Sequence, residues 1–63
     1  MIALRRPNGQ PVLVNADLIE TVEVSGDGTS ALALTTGNVL EVLETPAQVR
    51  DAVIAFRRSL LAP

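Results

Sequence analysis

Thr29-Ser30-Ala31-Leu32-Ala33-Leu34-Thr35-Thr36-Gly37-Asn38-Val39-Leu40-Glu41-Val42-Leu43 is the stretch that decides the fold. Leu32 and Leu34 alternate with Ala31 and Ala33, and Leu40 and Val42 alternate with Val39, Glu41 and Leu43. Successive side chains of a strand point to opposite faces, so a period of two reads as strands over 29–35 and 39–43. Thr36-Gly37-Asn38 turns the chain between them. A different signal follows at once. Thr45-Pro46-Ala47-Gln48 has the form of a capping box, with Thr45 as N-cap, Pro46 at the first helical position and Gln48 reaching back. Val49, Val53, Phe56 and Leu60 then fall at spacings of four, three and four, with Ala52 beside them. That is the apolar stripe of a helix over 46–61. Val49, Val53 and Phe56 should pack on the sheet. Arg57 and Arg58 fall in the last turns, where cations suit the helix dipole.

The reading extends toward the N-terminus. Gly26-Asp27-Gly28 separates 29–35 from a strand over 20–25, in which Val22 and Val24 oppose Thr21 and Glu23. Before it, Asn15-Ala16-Asp17-Leu18-Ile19 reads as a single helical turn capped by Asn15, with Leu18 or Ile19 folded inward. Strands over 2–6 and 11–14 flank Pro7-Asn8-Gly9-Gln10, a tight turn in which Asn and Gly tolerate positive φ. Pro11 lacks an amide donor and belongs at a strand start or an edge. The expected class is α+β: a small antiparallel sheet of about five short strands, open or curled toward an SH3-like barrel, with one C-terminal amphipathic helix. One domain over 1–63 is expected.

A chain of 63 residues buries only about 60% of the surface its unfolded form exposes. Scaffolds of this size usually need a disulfide, a metal or a partner chain. There is no Cys and no His, so disulfides and thiolate or imidazole metal sites are excluded. Oligomerisation remains, and 48% hydrophobic residues are more than so small a fold hides. Apolar residues on both faces of 29–35 and 39–43, and Ile54 and Leu61 on a second line of the helix, are the surplus. Itself is therefore the first expected partner.

Five Arg against seven acidic residues give a net charge of −2. With no Trp or Tyr, general nucleic-acid binding lacks both its basic patch and its stacking rings. No apolar run reaches the length of about 20 residues that a membrane span needs. The four-residue apolar stretch at the N-terminus is shorter than a signal-peptide core. A cytoplasmic location without membrane insertion is expected.

Catalysis has little to work with. Cys, His, Lys and Tyr are absent, and no base stands near a Ser or Thr to activate it. Asp17 with Glu20, and Glu41 with Glu44, are the nearest carboxylate pairs, and both read as solvated charges. Gly26-Asp27-Gly28 lacks the Gly-Lys-Ser/Thr ending of a phosphate loop. No enzyme activity, cofactor or metal is expected.

Met1-Ile2, a short strand ending in Arg, Asn8-Gly9, an apolar strand and Asn15-Ala16-Asp17-Leu18-Ile19-Glu20 together resemble the FlbD family, called SwrD in some bacteria. Members of that family begin Met-Ile, carry Leu-Asn-Gly and continue Leu-Asn-x-Asp-Leu-Ile-Glu. Leu34-Thr35-Thr36-Gly37-Asn38 is similar to a later family segment, Thr-Leu-Thr-Asn-Gly-Lys. The departures are Pro7 in place of Leu, the added Gly26-Asp27-Gly28 turn, and Arg57-Arg58 where Lys is common. The resemblance implies a non-enzymatic flagellar accessory that supports motility and swarming through protein contact at the motor, and specifically stator function. It implies flagellar motor or stator proteins as partners and a peripheral place at the motor base. Asn8, Gly9, Asn15, Asp17, Leu18, Ile19 and Glu20 are the partner-binding candidates it carries. Arg5 and Arg6 join them as a basic pair. Each has a structural reading too: Asn8-Gly9 shapes a turn and Asn15 caps one.

A second reading is a small dimeric RNA-binding post-transcriptional regulator resembling the carbon storage regulator proteins. Arg5 and Arg6 suit its first RNA contact. The strand over 39–43 has no Arg, and the Asn-Ala-Pro and His-Arg-Glu-Glu segments of those proteins are missing.

Overall fold

Two hairpin turns of one design organise the strands. In the first, the Gly9 N–H donates to the Arg6 carbonyl (2.8 Å) and the Arg6 N–H to the Gln10 carbonyl (2.8 Å). In the second, Gly37 donates to Leu34 (2.9 Å) and Leu34 to Asn38 (2.9 Å). Gly9 and Gly37 have φ of 86° and 92°, and no other residue type has positive φ among the described residues. Asn8 therefore does not share the left-handed conformation that an Asn-Gly pair suggests. Pro7 is the reason. Its ring fixes φ near −65°, which suits the second residue of a type I turn and leaves only Gly9 to reverse the twist.

The computed structural model describes residues 1–61. Residues 62 and 63, which the domain reading over 1–63 includes, lie outside the described residues. The chain runs β1 (Ile2–Arg5), β2 (Pro11–Val14), a 3-10 turn (Ala16–Leu18), β3 (Ile19–Ser25), β4 (Thr29–Leu34), β5 (Val39–Val42) and α1 (Pro46–Leu61). The expected α+β architecture of five short antiparallel strands and a C-terminal helix is present. The strands divide into two sheets, β1-β2 and β3-β4-β5. One backbone bond joins them, from the Leu43 N–H to the Arg5 carbonyl (2.8 Å). That bond also explains why β5 ends at Val42 and not at 43: the Leu43 amide has left the β4 ladder. Among the described residues neither β2 nor β3 has a second strand neighbour, so the strands curl together on one side and stay open on the other.

The core lies between the hairpin, the three-stranded sheet and the start of the helix. Ile2, Leu4, Val14, Ala16, Leu32, Val42 and Val49 are buried, and Val53 and Phe56 pack against them. Of Leu18 and Ile19, Ile19 is the one that packs against this core, half-buried, while Leu18 stays exposed; Ala16, which was not expected there, is fully part of it. A 3-10 turn brings only one of its three residues inward, and the first is the one nearest β2. Leu60 is exposed although it lies on the apolar stripe. A 16-residue helix is about 24 Å long, against about 13 Å for a four-residue strand. The last turns of α1 run past β1.

Polar groups lock the helix entry. The Thr45 N–H donates to Gln48 Oε1 (2.9 Å) and the Gln48 N–H to Thr45 Oγ1 (3.1 Å). This is the reciprocal capping box that the sequence predicts. Ser30, fully buried, donates its hydroxyl to the Glu44 carbonyl (2.7 Å). No buried side-chain nitrogen or oxygen lacks a partner among the described residues.

Candidate functional site

Residues 15–20 are built as a presenting segment. Asn15 Oδ1 accepts the Asp17 N–H (3.0 Å), and the Leu18 N–H donates to the Asn15 carbonyl (3.0 Å). The Thr35 N–H donates to the Leu18 carbonyl (2.7 Å), tying the turn to the end of β4. The register of β3 against β4 then slips between Ile19 and Thr21. This bulge leaves Glu20 without a partner on β4 and re-aims its side chain. With Ala16 as the buried anchor, Asn15, Asp17, Leu18 and Glu20 all face solvent.

The other candidates lie elsewhere. Asn8 and Gly9 form the exposed tip of the first hairpin, where Asn8 Oδ1 accepts the Gln10 N–H (3.0 Å). The pairing of Ile2 with Val14 and of Arg5 with Pro11 puts that tip at the end of the hairpin away from Asn15. The two strands separate them by about 10–13 Å. Arg6 is exposed and sits in the turn. Arg5 is engaged within the chain, with its Nε 3.1 Å from Glu44 Oε2 and its backbone N–H 2.9 Å from Glu44 Oε1.

Two grooves flank the presenting segment. One, about 390 Å³, runs between β3 and α1, and Ile19 and Glu20 face Arg50, Ile54 and Arg57 across it. Arg57 Nη2 lies 3.8 Å from Asp17 Oδ1, a long and exposed pair of little energetic weight. The other groove, about 370 Å³, runs along β2 to the β4–β5 turn, with Arg6, Asn15 and Leu18 among its lining residues.

One carboxylate, Glu44, has a displaced titration. Burial pushes the Glu44 carboxyl up, but hydrogen bonds from the backbone of Arg5 and of Glu44 and from the Arg5 guanidinium outweigh it. The net effect holds Glu44 below its ordinary value of 4.5. A carboxylate kept charged in this way suits an ion-pair partner and not a proton donor. No three carboxylates gather as a metal site among the described residues. No described helix is long and apolar enough to cross a membrane.

The model of the FlbD family, flagellar and swarming motility proteins, matches residues 1–61. The chain belongs to the FlbD family. No curated protein and no solved structure matches it. Membership gives the chain a role in flagellar and swarming motility.

One surface residue of this FlbD protein, Leu13, had no motif to mark it. Met1, Leu13 and Val39 are exposed around the β2 groove. Strand alternation carries part of the signal, since Val12 and Val14 turn inward and leave Leu13 outward. Glu44, read with Glu41 as a solvated charge, is instead largely covered and bound to Arg5, because a carboxylate just past a strand does not reveal a partner 39 residues earlier in the chain.

Proposed function

We propose that this FlbD protein supports swarming and flagellar motility without catalysis, by holding a protein of the motor against its presenting segment. The observation that supports this most is the construction of residues 15–20. A cap, a single 3-10 turn and a bulge put Asp17, Leu18 and Glu20 in solvent, on a buried anchor and beside a groove. Such a surface offers two anionic contacts, Asp17 and Glu20, in fixed relative positions, and charges placed in this way give a protein contact its selectivity. Within the motor we take the stator as the partner, as the family resemblance of residues 15–20 implies, with the contact on its cytoplasmic side.

The test is genetic. Deletion of the gene should reduce swarming and motor torque, and an unchanged torque would remove the reading. Complementation with Glu20→Arg should leave the protein folded and fail to restore swarming. Full rescue by that variant would move the contact away from residues 15–20.

A further inference from the structure

The free edges of the two sheets differ. The outer edge of β3 carries Glu20 and Glu23, and charges on an edge discourage an added strand. The outer edge of β2 carries Val12, Leu13 and Val14, blunted only by Pro11 at its start. Leu13 is 68% exposed, and Val39 across the groove is also 68% exposed. Met1 at 63% and Leu18 at 38% complete an apolar rim. These four residues come from four separate parts of the chain and converge on one concave face. Among the described residues Arg6 is the one charged side chain that lines it, and no carboxylate does.

That composition says what can cover the face. An acidic or basic partner would find almost nothing to pair with. An apolar surface of matching shape would bury all four rim residues. The chain also needs such cover continually. Its core holds seven buried hydrophobic residues, whereas eight large ones stay exposed among the described residues. A disulfide is excluded by the absence of Cys. A second copy is always present at the chain's own concentration and brings the same apolar rim. A standard interface takes about 800 Å² from each partner, near a fifth of the 4315 Å² that the chain exposes. In so small a molecule that is one whole face, and the β2 side holds half of the exposed large hydrophobic residues.

We propose that a second copy of this chain seats on the β2 face about a two-fold axis, so that each copy covers the Leu13 and Val39 of the other. The groove between β3 and α1 stays free for a different protein. The proposal goes beyond the motility reading and does not need it, since the mass of the purified full-length chain is the measurement. Light scattering across a concentration series should give about twice the 6.6 kDa of one chain. Leu13→Glu and Val39→Glu should each return the single-chain mass with an unchanged far-ultraviolet circular dichroism spectrum. Ile54→Glu, on the outer line of the helix, should leave the dimer intact. If Leu13→Glu disturbs the strand, Val39→Glu at the β4–β5 turn decides. A single-chain mass at every concentration overturns the proposal, including the case in which another protein is the true occupant. So does a dimer that survives both substitutions, or one that only Ile54→Glu dissociates. A deletion strain that swarms normally would remove the motility reading and leave this one standing.

Discussion

Two sides of this small fold are finished in opposite ways. Where β1, β5 and the helix meet, every contact is specified: Leu43 to Arg5, Arg5 to Glu44, Ser30 to Glu44, and Thr45 with Gln48. Along β2 no described strand pairs with the outer backbone edge, and Leu13, with Met1 and Val39 beside it, has no apolar cover among the described residues. Polar bonds that close one side fix a unique register, because each buried donor and acceptor has one partner and loses heavily without it. An open apolar side fixes nothing within the chain and remains available for another surface.

Two leucines, one from each sheet, give the largest expected difference between the sides. Leu32 is fully buried on β4 and Leu13 is exposed on β2. Leu32→Ala should cost about 2–5 kcal/mol. A 63-residue domain has a total stability of only about 3–9 kcal/mol, so the variant should be partly unfolded at room temperature by circular dichroism. Leu13→Ala should stay folded, and its loss of thermal stability should grow with protein concentration if the β2 face is covered by a second copy.

The closed side should respond next. Ser30→Val removes the hydroxyl that serves the Glu44 carbonyl at a fully buried site. An orphaned buried acceptor costs about 1–3 kcal/mol. Urea denaturation should show a lower midpoint with an unchanged slope. A stability equal to wild type would mean that the carbonyl finds another donor. Thr45→Ala opens the capping box and should cost about 1 kcal/mol. For a domain of this size that lowers Tm by about 4–8 °C.

The same contrast explains what could be read from the residues. The capping box at Thr45 and Gln48 is local: both partners sit within one turn, and the chemistry is complete in four residues. The alternation in 29–35 and 39–43 is local as well, and it set Leu32 with Leu34 and Leu40 with Val42 on common faces, but with apolar residues on both faces it did not say which one turns inward. The division into two sheets was not legible. It depends on the Leu43 amide choosing Arg5, 38 positions away, over β4. The site divides in the same manner. Residues 15–20 came from a motif whose cap is written in Asn15, but the bulge at Glu20 and the buried place of Ala16 follow from how β4 meets the turn. Asn8-Gly9 and 15–20 look continuous in sequence, and the length of the hairpin carries them to opposite ends.

The smallest expected effect dissects the closed side further. Because the folded Glu44 carboxyl titrates below its ordinary value of 4.5, its contribution to stability is fully present above that value. It is lost as pH falls through the lowered folded value, and none remains once the carboxyl is protonated in both states. The difference in unfolding free energy between the wild type and Glu44→Gln should therefore be constant from neutral pH down to about pH 5 and shrink below it. Arg5→Ala provides the control. It removes the guanidinium, whose exposed side carries little energy, but keeps the backbone N–H that points at Glu44 Oε1. Arg5→Ala should thus retain most of the acid sensitivity that Glu44→Gln abolishes. If both variants flatten the profile equally, the guanidinium and not the strand backbone is what holds the carboxylate, and the closed side is less firmly built into the fold than its hydrogen bonds indicate.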